Sequence, residues 1–418
     1  MKKLVILGAG TGGTIMANKM RKELSRDEWA ITIVDQDKTH YYQPGFLFIP
    51  FGFYKKADIV NPRQKFLPDG VTAIYQQIEH IDHENNKTIL ANGDFLDYDI
   101  LIIATGSRTN PEETPGLKGE LWYKNVFDFY TIEGAEALAD FFKTWKGGKL
   151  VINVADNPIK CPVAPLEFTF YADAFFTKKG IRDKVDITYV TPMSGAFTKP
   201  KASKMLGNLL EAKKINLVTD FFLGEVDNDN KKILDFGGRE VPFDCLITVP
   251  LHSGEPAVSN SGLGDEFGFV RANKNTLQSL VKENIFVIGD ASNLPASKAG
   301  SVAHFQAEVL AKNINSFIAN EPLHASFDGH SNCYIETGFG KCILIDFNYD
   351  TEPLPGTYPL PVIGPFSLLK ETRINHFGKL VFKWIYWNVL LKGRKLPVTD
   401  YMSMTGKIKD RVIFSTKQ

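Results

Sequence analysis

The stretch Leu4-Val-Ile-Leu-Gly8-Ala-Gly10-Thr-Gly-Gly13 decides the fold of this 418-residue chain. An apolar strand runs straight into spaced glycines, and a helical pattern follows from about Thr14 to Ser25. A second apolar strand, Ala30-Ile-Thr-Ile-Val34, ends in Asp35, 22 residues beyond Gly13. Each part has a physical reason. Gly8 permits the tight turn, Gly10 lets the backbone approach a pyrophosphate, and Gly13 lets the helix pack close against the strand. The helix N-terminus attracts the phosphates, and Asp35 is placed to accept hydrogen bonds from adenosine ribose hydroxyls. A glycine motif alone is weak, but strand, turn, helix, strand and acid in register make it strong.

Working outward, two later segments carry the same kind of signal. Asp99-Ile-Leu-Ile-Ile-Ala-Thr105-Gly106 reads as a buried strand ending in Thr-Gly. Ile285-Phe-Val-Ile-Gly289-Asp290 reads as another, ending in Gly-Asp. Together with the first turn they resemble the landmarks of disulfide-reductase-like flavoproteins over nearly the whole chain. That resemblance implies bound FAD, with Asp290 holding the ribitol chain and Gly289 admitting it.

Short apolar runs alternate with helical patterns, the signature of an α/β protein. The expected architecture is two Rossmann-like dinucleotide-binding domains plus a C-terminal domain with membrane-interfacial helices. The FAD domain is split in sequence (1–110 and 256–322), the second Rossmann-like domain is inserted at 111–255, and the C-terminal domain spans 323–418. At 44% hydrophobic and 23% charged residues, the chain has enough apolar material for sizeable cores. Net charge is zero and neither a basic recognition helix nor a zinc-ligand spacing occurs, so no nucleic acid and no metal is expected. The strand that starts at Lys3 leaves no room for a secretory signal, and no run approaches the roughly 20 apolar residues that span a bilayer. The reading is a soluble or peripheral protein.

At the start of the inserted domain, where a second glycine fingerprint would hold NAD(P)H, the chain reads Leu150-Val-Ile-Asn-Val-Ala-Asp156-Asn-Pro-Ile-Lys-Cys161-Pro. No glycine occurs between Val151 and Lys179. Side chains would crowd a pyrophosphate there and Asp156 would repel it, so the electrons are expected from another donor. Cys161 stands just before a helix whose first turns hold Pro162, Pro165 and Glu167. A helix N-terminus stabilises thiolate, which predicts a lowered thiol pKa and a reactive cysteine. Of the other three cysteines, Cys245 and Cys342 read as core residues on strands. Cys333, in Ser331-Asn-Cys-Tyr-Ile-Glu-Thr-Gly338, begins a segment and is the candidate partner.

At this point the chain resembles the sulfide:quinone oxidoreductases, relatives of flavocytochrome c sulfide dehydrogenase and the type II NADH dehydrogenases. Cys161-Pro-Val-Ala-Pro-Leu-Glu167 looks like the family's first redox cysteine with its glutamate, and Ser331 to Gly338 like the second. Lys298-Ala-Gly300 resembles the flavin-contacting stretch. The resemblance implies that a Cys161–Cys333 redox pair and FAD oxidise sulfide to zero-valent sulfur or polysulfide and pass two electrons to membrane quinone. Glu167 is the implied acid/base and Lys298 a stabiliser of flavin charge, with His304 and His252 as possible proton relays. Some members attach FAD through a third cysteine; this chain has none before Cys161, so noncovalent FAD is expected. Tyr334, Phe339 and Phe366 are candidates for stacking the quinone. The resemblance implies a homo-oligomer, and leaves open which cysteine sulfide attacks and which membrane face is used.

Gly378-Lys-Leu-Val-Phe-Lys-Trp-Ile-Tyr-Trp-Asn-Val-Leu-Leu391 is apolar nearly all round and too short to span a bilayer. Between Phe366 and Arg411 stand ten Lys/Arg and three Asp/Glu, which predicts peripheral, monotopic attachment to an anionic lipid surface. Two other readings share the fold. A type II NADH:quinone dehydrogenase needs the missing second fingerprint. A non-catalytic, redox-sensing FAD protein has no reason to keep both Cys161 and Cys333 in these settings.

Overall fold

The apolar run that opens the chain becomes a central strand. Leu4 to Leu7 of β1 (Lys2–Leu7) are fully buried, as a strand without polar alternation must be when both sheet faces are covered. The computed structural model describes residues 1–396 and 398–408. Gly10 is the N-cap of α1 (Thr11–Glu23), so the helix begins three residues before the periodic pattern does. Gly12 and Gly13, poor helix formers, lie in its first turn because the strand passes too close for a side chain: a Cβ on Gly13 would sit 1.9 Å from the Gly8 carbonyl oxygen.

The chain continues through β2 (Trp29–Asp35), β3 (Val71–Tyr75) and β4 (Ile100–Ile103). A second unit then runs β5 (Val126–Phe127), α2 (Ile132–Thr144), β6 (Gly148–Val154), α3 (Ala164–Lys178), β7 (Val185–Val190), α4 (Pro200–Ala212), β8 (Asn216–Val218) and β9 (Cys245–Val249). The return strand β10 (Ile285–Val287) and α5 (Gly300–Ile318) follow. The two sheets have strand orders β3-β2-β1-β4-β10 and β8-β7-β6-β9-β5, every neighbouring pair parallel. Both are Rossmann-like, and β1 and β6 occupy the same place in them.

The last part is a mixed sheet of β11 (Ser331–Gly338), β12 (Lys341–Phe347), β13 (Gly356–Leu360) and β14 (Gly364–Leu368), in the order β11-β12-β14-β13. The helix α6 (Arg373–Ile385) covers one of its faces and continues as a π-helical turn, Tyr386–Leu390. The other face does not build a core of its own. Cys333, Ile335, Ile343 and Ile345 join the cluster of α3 and the second sheet. Contact there is close: a Cβ on Gly338 would lie 2.6 Å from the Ala174 methyl.

The tail differs from the uniform interfacial segment expected of Gly378 to Leu391. Tyr386, Leu390 and Leu391 are buried in the core of the first sheet. α6 keeps an exposed apolar stripe, Ile374, Phe377 and Trp384, because its opposite side is the one that meets β12 and β14. Lys379 and Lys407, counted there among lipid-facing cations, are instead drawn inward onto buried carboxylates. Lys409 and Arg411 lie outside the described residues. Among the described residues no helix is long and apolar enough to cross a membrane.

Candidate active site

The first glycine turn is shaped for a dinucleotide. Gly8 has φ +96°, and a Cβ there would meet the Ala104 carbonyl oxygen at 2.4 Å. A Cβ on Gly10 would meet no atom within 4 Å, so open space lies where a phosphate would approach the backbone. Asp35 accepts from the Ala9 N–H at 2.7 Å and the Asp37 N–H at 2.9 Å, and pairs with Arg63 at 3.2 Å. A carboxylate has about four lone-pair sites, so capacity remains for a ribose hydroxyl. Gly106 and Gly289 both take left-handed backbone conformations, and the Gly289 N–H donates to Gln306 at 2.7 Å. The hydroxyls of Thr105 and Ser107 are buried without a protein partner, a state that natural proteins avoid unless a ligand or water completes it. Burial raises the pKa of Asp290, with Lys298 and Lys160 opposing. These orphaned hydroxyls and the open cradle fit FAD.

The second turn is built differently. Cys161 sits three residues ahead of α3 with φ +49°, a left-handed conformation that costs a cysteine roughly 1–2 kcal/mol. It is held there by its own backbone: its N–H donates to Lys298 O at 2.7 Å, and its carbonyl accepts from the Ala164 N–H at 2.9 Å and the Tyr130 hydroxyl at 3.3 Å. From Cys161 the helix α3 runs alongside β11. The Glu336 N–H donates to Glu167 at 2.8 Å, and Gly338 meets Phe170 and Ala174. Cys333 stands at the matching early position of β11 and is 8% exposed. The two thiols are electrostatic neighbours, a charge on Cys161 being among the causes that raise Cys333. All four cysteines are free thiols.

The expected depression of the Cys161 pKa is reversed. Burial first, and the Glu167 carboxylate second, push it up to about 12, with the Lys379 ammonium pulling the other way. Cys161 precedes the helix rather than capping it, and desolvation outweighs a terminal dipole felt only within the first turn. Cys333 is raised for the same leading reason.

Glu167 belongs to a buried charge cluster. Lys379, from α6, reaches it and also approaches Tyr334 O at 3.3 Å. Glu336, 1% exposed in its side chain, pairs with His376 at 2.8 Å. Burial raises Glu167, with Lys379 the main opposing influence. Burial alone would lower Lys379, but Glu167 and Glu336 outweigh it and hold the ammonium charged. The sequence reading missed Lys379, Glu336 and His376. The signal available was a lysine inside an otherwise apolar helical run. Cys342 is fully buried, as expected for a core thiol, but it lies beside this cluster.

Other candidates are placed less centrally. The Lys298 ammonium is committed to the carbonyl oxygens of Asp290 (2.9 Å) and Ser292 (2.6 Å) and lies 3.8 Å from the Phe269 ring centroid. Burial lowers it to about 8. Tyr334 and Phe366 meet edge to face, centroids 5.9 Å apart. Phe339 is at the β11–β12 turn, five residues along the strand from Tyr334 (roughly 16 Å), under the Lys213 ammonium. The His252 Nδ1–H donates to Pro250 O at 2.9 Å. Burial lowers His252 to about 3 and His304 to about 4, so both are neutral near pH 7. Among the described residues no His/Cys/Asp/Glu group suits a metal ion.

A family model described as pyridine nucleotide-disulphide oxidoreductase matches residues 2–152. The mitochondrial sulfide:quinone oxidoreductase of Dictyostelium discoideum is 31% identical over 398 residues, covering 94% of this chain and 86% of that protein. The chain belongs to the sulfide:quinone oxidoreductase family. It is therefore an FAD-dependent oxidoreductase. A type II NADH:quinone oxidoreductase of Staphylococcus haemolyticus is 34% identical over a shorter span, 76% of this chain and 83% of that protein. The X-ray structure of the sulfide:quinone oxidoreductase from Aquifex aeolicus superposes with a TM-score of 0.77 at 22% identity, covering 94% of this chain and 92% of that one. The likeness to both kinds of quinone oxidoreductase reflects a shared fold. The second turn is where this sulfide:quinone oxidoreductase family member lacks the glycines a nicotinamide nucleotide requires.

Proposed function

We propose that this chain oxidises sulfide to zero-valent sulfur or polysulfide and delivers two electrons to a membrane quinone. The observation that carries the reading is the alignment of α3 with β11, which gathers Cys161, Cys333, Glu167 and Lys379 where a second nucleotide turn would otherwise stand. Bound FAD, held noncovalently by Gly8, Gly10, Gly13, Asp35, Thr105, Gly106, Gly289 and Asp290, supplies a two-electron acceptor that quinone can reoxidise.

Hydrosulfide attack on a Cys161–Cys333 disulfide breaks the S–S bond, forms a persulfide on one cysteine and releases the other as thiolate. Because burial raises both thiols, that thiolate is poorly solvated and strongly nucleophilic. Glu167 sits beside Cys161 with a carboxyl biased upward by burial, suited to take or return the proton. Lys379, its charge held by the neighbouring Glu167 and Glu336, supplies a fixed positive charge beside them.

Tyr334 and Phe366 offer a paired aromatic surface for the quinone ring, next to Lys379. The route from lipid is the apolar exterior of the same sheet: Phe377 (65% exposed) and Trp384 (62%) on α6, Val362 (92%) and Ile363 (81%) at the β13–β14 turn. Such a rim, with the exposed Lys370 and Arg373 close to it in sequence, suits shallow insertion into an anionic lipid surface.

Anaerobic titration of the purified protein tests this reading through the flavin absorption band. Sulfide should bleach it, NADH should not, and a short-chain quinone should restore it. Cys161→Ser and Cys333→Ser should each abolish the sulfide response. Bleaching by NADH would overturn the reading.

A further inference from the structure

The π-helical turn that follows α6 is packed directly on the first glycine turn. The Tyr386 hydroxyl, 2% exposed as a residue, lies 2.8 Å from Thr11 Oγ1 and 2.7 Å from His40 Nε2. Thr11 is the first residue of α1, within Gly8-Ala-Gly-Thr-Gly-Gly13. The flanking contacts are equally specific. Trp387 stacks on Phe66 with centroids 5.0 Å apart, Asn18 donates to Leu391 O at 2.9 Å, and Lys22 donates to Lys392 O at 3.0 Å. Gly393 takes φ +59°, and a Cβ there would lie 3.2 Å from the Ile15 carbonyl oxygen of α1. The sulfide and quinone steps proposed above use none of these side chains.

We infer that residues 386–393 form a clasp that fixes the pyrophosphate-binding turn, and that Tyr386 is a positioning residue for FAD. A turn that presents free N–H groups to phosphate works only if those groups are already aimed. Gly8, Gly10, Gly12 and Gly13 give this turn the space it needs, but the same glycines leave it with more conformational freedom than any other residues would. The Thr11–Tyr386–His40 bridge restrains it from a segment 375 residues away in sequence. The clasp continues directly from α6, whose Trp384 is exposed two residues earlier, so flavin retention depends on the run that carries the outward apolar stripe. The inference rests on FAD seating at the first turn and not on the identity of the electron donor.

The test uses the full-length holoenzyme and the rate of FAD release. On dilution, free flavin appears as rising fluorescence. Tyr386→Phe keeps the ring and removes the hydroxyl with its bonds to Thr11 and His40; it should release FAD roughly fivefold to tenfold faster, the change expected from the one buried hydrogen bond that reaches the turn. Thr11→Val should do the same, and the double variant should release no faster than the faster single one, because both remove one bridge. Release from Tyr386→Phe at the wild-type rate overturns the inference, as does a double variant in which the two effects multiply. Backbone melting in excess FAD separates clasp from fold: a lowered midpoint with unchanged release would make Tyr386 an anchor of the tail and nothing more.

Discussion

The turns from Leu7 to Thr11 and from Val154 to Ala164 join the central strand of each parallel sheet, β1 and β6, to the helix that follows it. Three residues suffice at the first, two of them glycine; nine are used at the second, none of them glycine. At the first, missing side chains bring backbone within reach of phosphate. At the second, added length lifts a cysteine above the helix and holds it in a left-handed conformation by bonds to Lys298, Ala164 and Tyr130. The lesson is that topology supplies a location, while the presence or absence of a Cβ decides whether that location binds a nucleotide or displays a thiol.

The comparison can be broken most decisively at Gly8. Gly8→Ala forces a Cβ onto the Ala104 carbonyl at a positive φ, and the protein should purify without flavin, read as the ratio of flavin to protein absorbance. A normal ratio would mean that the first turn is not the dinucleotide site. The mirror substitution, Cys161→Gly, should act in the opposite way. Glycine accepts φ +49° without strain, so flavin content and melting temperature should be retained while sulfide-dependent flavin reduction falls by on the order of a thousandfold or more, the scale of losing a nucleophile.

Smaller effects sharpen the second turn. Lys379→Met leaves Glu167 as a buried carboxylate without its partner and should cost about 3–5 kcal/mol of stability, measured by denaturant unfolding. Adding Glu167→Gln should recover much of that loss. Finally, Glu167→Gln alone removes a carboxylate that raises Cys161. The thiol pKa should fall from about 12, so alkylation of Cys161, mapped by mass spectrometry, should begin at a lower pH than in the wild type. Lys379→Met removes a charge that lowers Cys161 and should shift the same profile to higher pH.

Much of this arrangement was readable from residue order. Strands β4 and β10 fall within the predicted runs 99–106 and 285–290, and α3 follows Cys161 as the sequence implies. These elements are set by side-chain periodicity and by proline and glycine, all of which act over a few residues. The tail was harder. Fourteen apolar residues from Gly378 to Leu391 carry no mark of where lipid-facing exposure ends and burial begins. The division at Tyr386 is imposed by Thr11, His40 and Phe66 of the first domain.

By itself, then, the sequence determined what short-range sterics and covalent chemistry determine: the glycine turn, the second turn without glycines, the two cysteines in unusual settings, and the family they belong to. Only the tertiary structure decided the charge states. Glu167 and Lys379 lie 212 residues apart and meet at the edge of β11. The Cys161 pKa moved opposite to the local expectation because burial, imposed by the packed fold, and the Glu167 carboxylate beside it acted on it more strongly than the nearby helix end. Solvation and Coulomb interactions depend on what surrounds a group in space, and chain order does not encode that until the chain is folded.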